Sequence, residues 1–158
     1  MTQNTPDTGV QFPLQADQIM HYLPHRPPML MLDRALGIDE DGYLLAEKDV
    51  SEDAFFFQGH FEGHPIMPGV MIVEAIGQAG ALLAAVMGSF DTQTHLLAFT
   101  GLERARFRQM VKPNETLCVY CKIVKSRRNL YKFEGRAEVD GRIVTDLQFS
   151  AALTPKET

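Results

Sequence analysis

The sequence predicts an α+β fold in which one long buried helix is embraced by an antiparallel β-sheet. Three observations carry this. From Gly69 to Met87 the residues are apolar or small on nearly every side, and a helix that is hydrophobic all round is buried rather than laid on a surface. After it come four segments of strand composition, separated by turn signals. Finally, 158 residues suit one domain with one core and are too few for two ordinary ones.

Taken in order, "MTQNTPDTGVQFP" (1–13) is polar and aperiodic, and is expected to be a flexible terminus ahead of a single domain over 14–158. "LQADQIMHYL" places Leu14, Ile19, Tyr22 and Leu23 on one side of a short helix, stopped by Pro24. "MLMLDRALGID" and "YLLAEKDVS" flank the turn "EDG" and predict a strand pair. The long helix starts near Pro68, since proline suits a first turn whose N–H groups lack partners anyway. Gly77, Ala79, Gly80, Ala81, Ala84 and Ala85 allow a sheet to approach it closely. "HLLAFTGLERARF", "ETLCVYCKIVKS", "LYKFEGRAEV" and "RIVTDLQFSAAL" are the strands, joined at "KPN", "RRN" and "DG".

Composition excludes several functions. Hydrophobic residues make up 45% and charged residues 22%, as in a soluble globular chain, and the formal charge of −5 offers nothing to nucleic acid. No basic start followed by an apolar run opens the sequence, so the expected location is cytoplasmic. The stretch Ala75–Met87 falls short of the roughly 18–20 residues that a membrane span needs. Cys118 and Cys121 form a Cys-x-x-Cys, but on a strand residues three apart point to opposite faces, so redox and metal roles are not expected. "NET" at Asn114 matches a glycosylation pattern without a secretion signal to give it meaning.

The chemistry concentrates at "GHFEGHPIMPGVMIVEAIGQ". Glu74 is a carboxylate inside the apolar helix, and burying one without partners is costly. Either it bonds Gln78 one turn on, or a facing strand, as structure, or it is there to react. His60 sits in a loop bent by Gly59, Gly63, Pro65, Pro68 and Gly69, which can carry an imidazole back over the helix start. The spacing of His60 and His64 resembles a metal pair, but Gly63 and Pro65 argue against the helix such a pair requires, so no metal is expected. An imidazole, a carboxyl and the free N–H groups of a helix start together suit chemistry through an enolate, such as proton abstraction beside a thioester carbonyl.

These stretches resemble the 3-hydroxyacyl-acyl-carrier-protein dehydratases of the FabZ type, which have the hotdog fold. "LPHRPPMLMLDR", "FFQGHFEGHPIMPGVMIVEAIGQ", "GLERARFRQMVKPNETL" and the terminal hairpin carry the resemblance, which covers about residues 15–153. It implies His60 and Glu74 as the catalytic pair, fourteen residues apart as in the family. Gly69 is implied as the N–H donor to the thioester carbonyl, and Gln78 as the residue orienting the carboxylate. It also implies dehydration in fatty acid biosynthesis without a cofactor, the substrate riding on the phosphopantetheine of an acyl carrier protein. The partners implied are that carrier and a second copy of the chain, in a homodimer with shared sites and in a hexamer of three such dimers. Glu74, where related dehydratase–isomerases have aspartate, points to dehydration alone. Glu62 stands where the family usually has proline, and "KPNETL" replaces a Pro-Gly-Asp turn, so Asn114 is expected to supply the tight conformation.

Phe61, Ile66, Met67, Val70 and Ala75 are the candidates to line an acyl tunnel. Arg104, Arg106 and Arg108 alternate with Ala105 and Phe107, and with Lys112 form a basic strip able to meet an acidic carrier despite the overall charge. Two alternatives remain open: an acyl thioesterase on the same fold, and a carrier-binding module without turnover.

Overall fold

The computed structural model describes residues 6–157. Seven strands form one antiparallel sheet: β1 (Leu14–Gln15), β2 (Arg34–Ile38), β3 (Leu44–Asp49), β4 (His95–Phe107), β5 (Thr116–Arg127), β6 (Leu130–Val139) and β7 (Arg142–Pro155). Their order across the sheet is β1-β2-β3-β5-β6-β7-β4, which makes β4 an edge strand. A short helix α1 (Ala16–Ile19) follows β1, a single 3-10 turn covers Phe55–Phe57, and α2 (Gly69–Val86) joins the β3 side of the sheet to β4.

The central helix forms as expected. Pro68 is its N-cap, and the proline carbonyl accepts the N–H groups of Met71 and Ile72. Beyond Val86 the chain turns at Gly88, whose φ of 70° is left-handed, while Ser89 N–H bonds back to Ala84. Counted from Gly69 the helix is, by length and composition, long and apolar enough to cross a membrane, and 67% of it is buried within the fold. The shorter count from Ala75 left out the helix's first six residues, Gly69 to Glu74.

Close approach to the sheet depends on missing side chains. A Cβ at Gly80 would lie 2.9 Å from the Phe133 ring, and one at Gly77 would strike Phe99. Phe133 stacks on Phe149 at 4.8 Å, and Phe149 meets Phe99 edge-on, so an aromatic row fills the space against α2. On β6, Gly135 leaves room for Ile76: a Cβ there would lie 2.5 Å from its methyl and 2.8 Å from the Tyr120 carbonyl.

Three readings need adjustment. Residues 1–5 lie outside the described residues, whereas Val10 and Phe12 pack against the core, so the packed unit begins before Leu14. The helix over 14–23 shrinks to one turn, because Leu14 and Gln15 pair with Ala35 and Arg34 instead. The strand expected from Met29 begins only at Arg34. Backbone groups of Met29 and Met31 bond the Gln78 side chain and are unavailable to a ladder.

The turn chemistry matches. Asn114 adopts φ 69° and donates its N–H to Val50, while Asp140 and Gly141 take the paired positive φ of a tight hairpin. Cys121 is buried and Cys118 is partly exposed, on opposite faces of β5. Burial pushes both thiols above their usual range.

Gly135 generates a direct test. Gly135→Ala must displace Ile76 or the Tyr120 backbone, and overpacking of this kind costs about 1–3 kcal/mol. A urea titration should show the lower midpoint at unchanged slope.

Candidate active site

Gln78 organises the carboxylate. Its amide is 2% exposed, its oxygen accepts the Met31 N–H at 2.7 Å, and its nitrogen donates to the Met29 carbonyl at 2.8 Å. A backbone N–H only donates and a carbonyl only accepts, so the orientation of the amide is settled. Its second N–H points to Glu74 Oε1, at 2.8 Å. The i, i+4 spacing thus makes the bond expected of it, and at the same time ties the helix to a segment 47 residues away. Glu74 itself is not sealed in the core: its side chain is 23% exposed. Oε2 has no partner among the described residues.

His60 is held by its own loop. Its Nδ1 lies 2.7 Å from the Ile66 carbonyl, while the Ile66 N–H donates to the His60 carbonyl at 2.9 Å. Since a carbonyl accepts, Nδ1 carries the hydrogen and Nε2 keeps a free lone pair, the form a general base needs. The ring stacks on Phe61 at 4.1 Å. Phe61 and His64 exchange backbone hydrogen bonds around Gly63, whose φ is 72°, and Glu62 is exposed at the tip, so the departure from proline leaves the loop closed. Met67 N–H then anchors the loop to Val111. Among the described residues no group of three His, Cys, Asp or Glu is placed to hold a metal.

Gly69 opens α2, and its N–H makes no hydrogen bond to the described residues. A Cβ there would lie 2.6 Å from the Phe107 ring, so glycine is required where the strand crosses the helix start.

Glu74 borders two clefts. One, of about 100 Å³, runs between α2 and the sheet past Gly77, Ala81, Phe99, Phe133 and Phe149. The other, of about 440 Å³, is an apolar groove of Val70, Val73, Phe99, Leu102 and Phe107 along β4. His60 lines neither, and among the described residues no ion pair joins it to Glu74, whose imidazole partner is His25. Of the tunnel candidates only Val70 borders a Glu74 cleft. Met67 and Ala75 are buried in the core, Phe61 is exposed, and Ile66 is spent on the His60 clamp. Apart from His25 and the helix residues, the lining of the narrow cleft comes from β4, β6 and β7, which proximity in sequence to Glu74 did not reveal.

On the opposite face of the sheet, Arg104, Arg106 and Arg108 border one concavity of about 450 Å³ together with Arg136, Glu134 and Asp146. Arg108 is paired with Asp146, and Lys112 is not among the lining residues. The alternation is not regular: a bulge between Glu103 and Arg106 gives Arg104 a φ of 51°, yet Ala105 and Phe107 still face the helix side.

One neighbour of the site went unread in the sequence. His25 Nε2 lies 3.5 Å from Glu74 Oε1, and the ring borders the narrow cleft. Burial holds its basicity below the usual histidine range; the Glu74 carboxylate opposes this and Arg26 adds to it. Pro24, Pro27 and Pro28 bracket it and were the available sign of a fixed, non-helical run.

A seven-stranded antiparallel sheet wrapped on one central helix defines the hotdog class. Residues 23–148 match the FabA-like domain family, and the chain belongs to that family, on the side of its FabZ-type members. It is 42% identical over 144 residues to the 3-hydroxyacyl-[acyl-carrier-protein] dehydratase FabZ of Nitratidesulfovibrio vulgaris, covering 91% of this chain and 94% of that protein. It is 43% identical over 141 residues to the FabZ of Aromatoleum aromaticum, covering 89% and 97%. Among solved structures, the dehydratase heterocomplex ApeI:P from Xenorhabdus doucetiae superposes with a TM-score of 0.75 at 17% identity, covering 93% of this chain and 94% of that one. A mutant thioesterase from Pseudomonas aeruginosa reaches 0.66 at 14% identity, covering 90% and 96%. At such identities these two likenesses establish the fold alone.

Replacing Gln78 by Leu should strand the buried Met31 N–H, at a cost of about 1–3 kcal/mol, and release Glu74 Oε1. Chemical denaturation and kcat should therefore fall together, whereas a purely structural Gln78 leaves the kcat of the folded fraction unchanged.

Proposed function

We propose that the chain dehydrates 3-hydroxyacyl thioesters carried by an acyl carrier protein to trans-2-enoyl thioesters in fatty acid biosynthesis. The observation that supports this most is the His60 tautomer, which leaves Nε2 as an acceptor beside a loop that feeds the start of α2. In the reaction, the Gly69 N–H receives the thioester carbonyl and stabilises the charge that grows on its oxygen. His60 Nε2 takes the proton from C2. The C3–O bond breaks as the Glu74 carboxyl delivers a proton to the hydroxyl, and water leaves with C2=C3 formed. Only protons and water move, so no electron carrier takes part.

The separation of His60 from Glu74 within one chain supports a homodimer with shared sites. Next to Glu74 the edge strand β4 leaves backbone groups unpaired, and Val70, Leu102 and Phe107 are 71%, 54% and 55% exposed. A second copy seated there covers this apolar groove, completes the edge and brings its own His60 loop to Glu74. The narrow cleft behind Glu74, floored by Gly77 and Ala81 and ending among Phe133 and Phe149, suits the start of an acyl chain. The concavity around Arg104 and Arg106 is the docking surface for the acidic carrier, with four arginines against two carboxylates. Assembly of three dimers into a hexamer and a cytoplasmic location are part of the same reading.

Four outcomes are expected. With crotonyl thioester the protein should consume the conjugated enoyl absorbance as water adds. Release of free thiol instead marks a thioesterase. His60→Ala and Glu74→Gln should each lose on the order of a hundredfold or more in kcat with the fold intact. Mixing the two inactive variants should restore about a quarter of wild-type activity, because half of randomly formed dimers are mixed and each keeps one intact site. No recovery in mixed dimers, demonstrated by mass, removes the shared site. Arg104→Glu with Arg106→Glu should raise KM for the carrier-bound substrate several-fold and leave KM for the small thioester unchanged; equal changes count against docking there.

A further inference from the structure

Glu74 Oε1 is approached from two sides, and the second contact has no part in the proposed reaction. Gln78 donates to it at 2.8 Å, and His25 Nε2 faces it at 3.5 Å. The two protein groups reach the same oxygen from different elements, one from the helix and one from the proline-bracketed segment before Met29. That segment is held with care. The Arg26 guanidinium donates to the carbonyls of Leu23 and His25, both at 2.8 Å, and Gln78 grips Met29 and Met31 just beyond. His25 is therefore delivered to Glu74 by the same clamp that orients Glu74.

The ring's protonation follows from its surroundings. Its Nδ1 is buried and has no partner among the described residues. Placing the hydrogen on Nδ1 buries a donor without an acceptor and turns the Nε2 lone pair against a carboxyl oxygen. Placing it on Nε2 aims the donor at Glu74 and leaves the milder cost of an unused acceptor. The groups facing the ring are Glu74, which favours a proton, and Arg26, which opposes one, while burial opposes it more strongly than either acts. The neutral, Nε2–H form results. In this form the ring offers Oε1 one donor without placing a second charge beside it.

We propose that His25 is a positioning residue for dehydration: with Gln78 it occupies Glu74 Oε1 and so makes Oε2 the oxygen that carries the reacting proton. This rests on the reading of Glu74 as the acid. At 3.5 Å the contact is longer than an ordinary hydrogen bond of about 2.7–3.2 Å, so the proposal requires it to shorten when substrate binds.

The test compares His25→Phe, which fills the space and donates nothing, with His25→Gln, whose amide N–H reaches toward the same oxygen. Steady-state hydration of crotonyl thioester is measured for both, with thermal unfolding alongside. Misplacement of the carboxyl by His25→Phe should lower kcat on the order of tenfold to a hundredfold with KM within about twofold, and His25→Gln should recover most of the loss. Should Phe prevent folding, His25→Leu takes its place. A wild-type kcat without the imidazole overturns the proposal, as does an equal loss in the Gln variant, or a loss that appears wholly in KM. Glu74→Gln is run in parallel: if it keeps the wild-type rate, the acid assignment itself falls, whatever His25 does.

Discussion

The amide of Gln78 is the constraint on which the site is built. It sits in the middle of a helix that is apolar apart from it and Glu74, where an unpaired polar group is costly, and three hydrogen bonds satisfy it. Two of them go to backbone groups of Met29 and Met31, and this is why the chain there leaves the sheet instead of extending β2. The third goes to Glu74. One side chain thus sets the path of a segment, fixes the rotamer of a carboxyl and determines which carboxyl oxygen stays free. Because its acceptor and both its donors are committed, none of these can change independently.

His60 is fixed by a different principle. No helix or strand supports it, so its loop supplies rigidity through reciprocal bonds: His60 with Ile66, and Phe61 with His64. The first pair also decides chemistry, since a carbonyl on Nδ1 dictates which nitrogen is basic. A carboxyl on a buried helix and an imidazole on a self-closed loop are each preorganised without an ion pair between them, so the proposed shared site needs little rearrangement on assembly.

Much of this was legible in the sequence where the signal is local. The all-apolar run marked α2, Pro68 its start, the Asp-Gly pair a hairpin, and the spacing of Glu74 and Gln78 a shared face. What escaped was set by distance along the chain. His25 reaches Glu74 across 49 residues, through a bond network whose members give no periodic pattern. The clefts at Glu74 show the same effect: Met67 and Ala75 are close to Glu74 in sequence but face the core, Val70 borders the open groove, and Phe133 and Phe149 arrive from β6 and β7. The arginine strip shows an intermediate case. Alternation correctly grouped Arg104, Arg106 and Arg108 on one face, but strict alternation does not hold there. A bulge absorbs the irregularity, and the left-handed φ of Arg104 leaves no trace in residue type.

The placement of glycines connects the fold to the reaction. Gly69, Gly77 and Gly80 lie along α2, and each accepts an aromatic ring where a Cβ would stand: Phe107, Phe99 and Phe133. These rings carry the sheet onto the helix, and Phe99 and Phe133 are also walls of the cleft at Glu74. The same residues that permit close packing therefore leave a narrow apolar space one turn beyond the carboxyl. In the proposed reaction a substrate chain entering this space excludes water from around Glu74. Packing and the shape of the cleft are in this way consequences of one choice of small residues on one helix face.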